Sequence, residues 1–117
     1  MNKQNGIKRL ISAWGYSISG LKLCWLNEAS FRQELLLVIV LLPLSFWLTH
    51  DTVERILLIV PLFLILIVEV LNSAIEACID RMGEELHPLA KQAKDMGSAA
   101  VWLTFLLTLI IWLLVLV

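Results

Sequence analysis

Charge is scarce in this chain. Of its 117 residues, 9 are lysine or arginine and 10 are aspartate or glutamate, together 16%, against 60% hydrophobic residues and a mean hydropathy of +0.88. That balance excludes an ordinary soluble domain and describes an integral membrane protein of one domain. The net charge of −1 points to no partner. Cysteine is nearly absent: Cys24 and Cys78 form no CxxC or CxxH pattern, so neither a zinc site nor a disulfide is expected. Lys3, Lys8 and Arg9 make the start basic, but no compact apolar core with a small-residue cleavage site follows, so no cleavable leader is expected. A GxxxxGK[ST] loop is missing, which excludes a P-loop enzyme, and so are the GxGxxG, HRD and DFG signals of protein kinases.

What is present is organised as helices. Ile7, Leu10, Ile11, Trp14, Ile18, Leu21 and Trp25 recur at helical spacing, with Lys8, Arg9, Ser12, Ser19 and Lys22 off that stripe. The pattern predicts an amphipathic surface helix over 5–26 lying in the membrane interface, with Gly15 and Gly20 as bends. Residues 29–49 form the first span candidate. Its apolar core, Leu35 to Leu48, covers only about 21 Å against a hydrocarbon core of about 30 Å, so Ala29 to Phe31 must extend it while Arg32 and Glu34 snorkel or face protein. Pro43 interrupts this run and Trp47 is placed as an interfacial anchor. Asp51 or Thr52 is a plausible N-cap for a second span over 53–82, which contains Pro61 and is stopped by Gly83. The third span is expected over 89–117, with Ser98 to Val117 long enough to cross. The expected fold is thus an all-α membrane protein with three transmembrane helices and one amphipathic surface helix.

Lysine and arginine set the orientation. The N-terminal segment holds Lys3, Lys8, Arg9, Lys22 and Arg32, and the loop between the second and third spans is flanked by Arg81, Lys91 and Lys94. The turn near residue 50 offers only Arg55 and the C-terminus none. The positive-inside rule then puts residues 1–30 and 80–95 in the cytoplasm and the C-terminus outside.

Glu69 follows the apolar run Ile56 to Val68, and the next polar positions are Asn72, Ser73, Glu76 and Asp80. At 100° per residue these share one face, within an arc of about 100°, as do Lys91, Lys94, Asp95 and Ser98 on the third span. An ionisable residue inside a membrane helix is a functional-site hypothesis by default. With the expected topology, Glu69 lies about 10 Å beneath the cytoplasmic boundary, and Glu28, Glu76, Lys94 and Asp95 converge at that boundary. Glu28 and Glu76 could hold magnesium, which takes one or two carboxylates plus waters and phosphate oxygens. Lys94 could act as a point charge on a phosphate, and Glu69 as a general base on a hydroxyl presented from the bilayer. A phosphate donor in water and an acceptor in lipid is the geometry of a lipid kinase, in which the protein positions groups and neutralises charge.

The stretches WLNEASFRQE (25–34), EVLNSAIEACIDR (69–81) and AKDMGSAAV (93–101), together with GYSISGLK (15–22), closely resemble the bacterial integral-membrane diacylglycerol kinase family over nearly the whole chain. The block ExxNxxxE followed by KDxGSAA is the specific part. The resemblance implies a homotrimer of three-span subunits in the inner membrane that uses Mg-ATP to phosphorylate diacylglycerol to phosphatidic acid. It implies Glu69 as catalytic base, Glu28 and Glu76 as metal-binding carboxylates, Lys94 and Asp95 as nucleotide-site residues, and Asn72 as a polar partner orienting the site. Arg9, Tyr16 and Glu85, Leu86 and His87 resemble further ATP contacts. Ser30, Phe31, Arg32, Gln33, Glu34, Arg55 and Ser98 resemble lipid-side contacts. Relatives in the same superfamily phosphorylate undecaprenol; the FRQE segment favours the glycerolipid branch.

Blander readings compete. Glu69 alone could be a structural carboxyl, and Glu28, Glu76, Lys94 and Asp95 an interfacial ion-pair cluster. Asn72 could be a helix–helix hydrogen bond, Arg9 and Lys22 headgroup contacts. A proton-coupled transporter would also place a carboxylate at depth, but the polar groups bunch at one side with no polar path to the other. Three helices from one copy cannot easily shield this stripe from lipid, so self-association with composite sites is expected.

Overall fold

The computed structural model describes residues 5–82 and 87–117. Among these residues the chain is entirely helical: α1 (Gly6–Asn27), α2 (Ala29–Leu48), α3 (Thr52–Arg81) and α4 (Pro88–Leu116). The last three are long and apolar enough to cross a membrane.

Each boundary has a local cause. The Asn5 side chain accepts from the Lys8 amide and caps α1. α1 runs unbroken through Gly15 and Gly20, so neither of the expected bends interrupts it. Glu28 alone separates α1 from α2: its extended backbone (φ −119°, ψ 107°) ends one helix and begins the next. Arg32 fastens this corner, donating from Nη1 to the Trp25 carbonyl at 2.6 Å, one of the carbonyls α1 leaves unpaired. At the other end of α2, Arg55 donates from Nε to the Thr49 carbonyl (2.8 Å) and from Nη2 to the Phe46 carbonyl (3.0 Å). Asp51 caps α3 by accepting from the Glu54 amide, and His87 caps α4 by accepting from the Leu89 amide, with Pro88 at the first helical position. Pro43 and Pro61 lie inside continuous helices.

α3 is the central element, packed against α4 and α2. Its buried residues, Leu58, Pro61, Leu62, Ile65, Glu69, Asn72 and Ser73, follow the three-and-four spacing of one face. The facing stripe of α2 is Phe31, Glu34, Val38 and Ser45; that of α4 is Gly97, Val101, Thr104 and Thr108. Small and hydroxylated residues on α4 let the backbones approach, and the hydroxyls are satisfied by their own helix: Thr104 donates to Val101 O and Thr108 to Thr104 O. Deep in the bundle, Trp112 Nε1 of α4 donates to the Leu58 carbonyl of α3 at 3.0 Å. Most other large apolar side chains of α2–α4 face outward, among them Ile39, Val40, Phe63, Ile67, Leu103 and Leu106, as a bilayer requires. The stripe on α3 therefore changes character along its length. It is purely apolar from Leu58 to Ile65 and polar from Glu69 onward, which places all the chemistry at one end of the bundle.

Candidate active site

At that end, α2, α3 and α4 diverge around an open cavity of about 520 Å³. Its walls carry Glu28 from the α1–α2 corner, Ser30, Gln33 and Glu34 from α2, Glu69, Asn72 and Glu76 from α3, and Ser98 from α4. Leu37, Val101, Trp102 and Phe105 make the apolar part. The cavity is thus polar on one side and apolar on the other, suited to a molecule with a polar head and a hydrocarbon tail.

Glu69 is only 4% exposed. Glu34, Asn72 and Ser73 are also buried, and Glu28 and Glu76 are half-buried. Glu76 lies two helical turns beyond Glu69, about 10 Å along the axis. Asn72 bridges that interval, its Nδ2 donating to Glu76 Oε1 at 3.4 Å. Glu34 of α2, also buried, lines the same cavity as Glu69. Among the described residues, three buried side-chain atoms have no hydrogen-bond partner: Glu34 Oε2, Asn72 Oδ1 and Ser73 Oγ. Glu34 and Asn72 line the cavity and Ser73 follows Asn72 on α3; buried polar atoms left unpaired call for a partner such as water, an ion or a ligand. Behind the cavity, Cys24 of α1 packs near Ser73; burial pushes its thiol pKa up, the Glu28 charge adds to this, and the Ser73 hydroxyl acts in the opposite direction. Both cysteines are free thiols.

Of the residues singled out in the sequence, the cavity brings together Glu28, Ser30, Gln33, Glu34, Glu69, Asn72, Glu76 and Ser98. The others sit elsewhere. Lys94 donates to Asp80 at 3.1 Å and Lys91 to Asp95 at 2.7 Å, so the pair expected to descend onto the carboxylates is engaged on the outer rim. Arg9 and Tyr16 are exposed on α1, and His87 caps α4. Phe31 is buried and Arg32 is bonded to the α1 terminus. Arg55 lies some fourteen residues up α3 from Glu69, about 21 Å away along the axis. Glu85 and Leu86 lie outside the described residues.

Two features were not read from the sequence. Glu34 was placed among lipid-side residues, not beside Glu69; its membership of the 31–34–38–45 stripe on α2 was the available signal. Gly97 was part of a motif but had no role, because only the packing of α3 on α4 gives it one.

The sequence model of the family described as "Prokaryotic diacylglycerol kinase" matches residues 15–116. The chain belongs to that family. Among its relatives, the diacylglycerol kinase of Escherichia coli (strain K12) is 49% identical over 111 residues, 95% of this chain and 91% of that one. The diacylglycerol kinase of Pseudomonas aeruginosa is 49% identical over 109 residues (93% and 89%), and that of Helicobacter pylori (strain 26695) 47% over 110 residues (94% and 86%). The match runs through α2, α3 and α4 and so includes every wall of the cavity.

Proposed function

We propose that the cavity is where the γ-phosphoryl group of ATP passes to the hydroxyl of a membrane-held diacylglycerol, giving phosphatidic acid and ADP. The observation that carries this reading is the position of Glu69: a carboxylate buried on the wall of a cavity whose one side is polar and whose other side is apolar. Glu69 Oε accepts the hydroxyl proton as the alcohol oxygen forms its bond to the γ-phosphorus and the bond to the ADP oxygen breaks. Ser98, Ser30 and Gln33 are available to hold the glycerol oxygens, and Trp102, Phe105 and Leu37 to hold the first part of the acyl chains.

Glu28, from the α1–α2 corner, and Glu76, from α3, line the same cavity and are of the kind that holds magnesium, which takes one or two carboxylates and completes its shell with water and phosphate oxygens. Among the described residues no cluster of three or more metal-ligating side chains exists, so the remaining ligands of such an ion would be water and nucleotide oxygens. Bound there, it would neutralise charge on the transferring phosphoryl group. Asn72 orients Glu76. Lys94 reaches the phosphates by leaving Asp80, and Asp95, Arg9, Tyr16 and the 85–87 segment supply further nucleotide contacts. Arg55, Phe31 and Arg32 draw no support as lipid contacts from their surroundings, since each is engaged in packing or capping.

The cavity is open, and a second copy would complete its wall in a homotrimer with shared sites. α1 lies in the plane of the cytoplasmic leaflet of the inner membrane, with the N-terminus and the α3–α4 connection on that side and the C-terminus outside. A proton-coupled transporter would need a polar path onward from Glu69. On α3 the buried residues in that direction are Leu58, Pro61, Leu62 and Ile65, and the buried hydroxyls of Ser45, Thr104 and Thr108 on the facing helices each donate to a carbonyl of their own helix.

The test is phosphatidic acid formation in mixed micelles from labelled ATP, magnesium and diacylglycerol, with undecaprenol in parallel. Product that disappears on chelation supports the reading. Transfer to undecaprenol alone would reassign the acceptor.

A further inference from the structure

Asn72 occupies the space where α4 has no side chain. Gly97 is buried, and a Cβ built on it would overlap Asn72 Oδ1 and lie 3.2 Å from Asn72 Cγ. Gly6, Gly15 and Gly20 would meet nothing within 4 Å. Gly97 is therefore the one glycine among the described residues whose missing methyl group is filled by a neighbour, and the filling atom is polar. That atom, Asn72 Oδ1, is buried without a hydrogen-bond partner. A carboxamide does not hold such an orientation through hydrogen bonding at its oxygen, because burying an unpaired acceptor is unfavourable. What fixes it is the shape of α4 behind it and the single bond in front, from Nδ2 to Glu76 Oε1.

We propose that Gly97 is a positioning residue of the phosphoryl-transfer site, seating the Asn72 carboxamide against the bare α4 backbone so that Nδ2 faces Glu76 and sets the direction of that carboxylate. The role rests on the assignment of Glu76 to the metal–nucleotide site. The carboxamide cannot simply be reversed, since that would turn Oδ1 toward the carboxylate. Nor can it shift without changing its bond to Glu76, which stands at 3.4 Å. A methyl group at 97 forces the second of these. Its effect would then be on Glu76 and whatever that carboxylate holds, with the lipid side of the cavity untouched.

The sign of the effect separates this role from ordinary helix packing. Alanine is the better helix former, so Gly97→Ala is neutral or stabilising wherever space allows. In an Asn72→Ala background space is available: the residue 97 methyl would lie 3.9 Å from the Cβ of residue 72, an ordinary contact.

The experiment is a double-mutant cycle over Gly97→Ala and Asn72→Ala on the full chain in detergent micelles. Two readouts need no turnover: Mn²⁺ affinity in the presence of a non-transferable ATP analogue, followed by the EPR signal of free Mn²⁺, and the midpoint of thermal unfolding. Turnover with diacylglycerol is the third. Gly97→Ala alone is expected to lower kcat by about 10²-fold, the scale of an ångström-sized misplacement, to weaken Mn²⁺–nucleotide binding, and to leave KM for diacylglycerol within about twofold. Added to Asn72→Ala, it is expected to change neither Mn²⁺ affinity nor the unfolding midpoint downward. Should Gly97→Ala fail to fold, folding recovered in the double variant supports the seat, and folding still lost overturns it. Equal losses in both backgrounds overturn it, as does a Gly97→Ala protein with wild-type Mn²⁺ affinity. Unchanged Mn²⁺ affinity in Glu76→Ala would instead overturn the metal assignment, leaving the 97–72 coupling to be read from unfolding.

Discussion

Lys94 Nζ donates to Asp80 Oδ1 across the α3–α4 interface at 3.1 Å, and so stands one helical turn beyond Glu76, outside the cavity. The two side chains are 46% and 68% exposed. A pair this open contributes about 0–1 kcal/mol, little enough for a phosphate to displace. Asp80→Asn is therefore expected to leave unfolding nearly unchanged and not to raise KM for ATP. On the proposed role, Lys94→Met removes a charged hydrogen bond to phosphate worth about 1.5–3 kcal/mol, a loss of roughly 10- to 100-fold in kcat/KM for ATP. Steady-state kinetics with ATP varied at saturating lipid measures both. Equal small effects from the two variants would remove Lys94 from the nucleotide site.

A second expectation concerns the bundle. Trp112 holds α4 to α3 through the Leu58 carbonyl. Trp112→Phe keeps the ring and deletes the donor. Interhelical hydrogen bonds in membranes average about 0.6 kcal/mol and reach about 1.7. Unfolding in mixed detergent should fall within that range, with turnover per folded molecule unchanged.

Arg55 should behave as a structural residue. Its guanidinium serves two terminal carbonyls of α2 and stacks 5.0 Å from the Phe46 ring centroid. Arg55→Ala leaves those carbonyls unpaired and is expected to destabilise by about 1–3 kcal/mol. Arg55→Lys should recover little of it, because one ammonium cannot span both carbonyls as the guanidinium fork does. KM for diacylglycerol is expected to stay within about twofold; a several-fold rise at full stability would return Arg55 to the lipid site.

The cysteines offer a probe of α1 docking. Cys24 is buried against α3 and its thiol pKa is raised, chiefly by that burial. A raised value means less of the reactive thiolate at neutral pH, with reactivity returning only as pH rises. In a Cys78→Ser protein, maleimide should therefore label slowly at pH 7 and faster in alkaline buffer, and fully once the protein is unfolded. Rapid labelling at pH 7 would mean that α1 is not held against α3.

The polar face of α3 and the three long apolar helices could be read directly, because helical periodicity fixes which residues share a face before any packing is known. Glu69, Asn72 and Glu76 needed only that rule. Contacts between helices were less legible. Lys94 has the right spacing to face the carboxylates, yet the register of α4 on α3 brings its ammonium to Asp80 instead. Glu34 looked like a snorkelling residue near a helix start, whereas it is buried on the inner face of α2 and lines the cavity with Glu69. Gly97 carried no signal of its own, since an empty volume acquires meaning only from the amide that fills it. Registers and empty volumes are properties of pairs of helices, and a single sequence states them only indirectly.

The central claim is that the buried carboxylate of Glu69 accepts the proton of the lipid hydroxyl. Its most direct test is Glu69→Gln, which keeps the shape of the side chain and removes its basicity. Labelled phosphatidic acid should fall by about 10²–10⁴-fold, the usual contribution of a positioned general base, while Mn²⁺–nucleotide affinity and unfolding stay near wild type. Phosphatidic acid formed by Glu69→Gln within a few-fold of the wild-type rate would contradict the account.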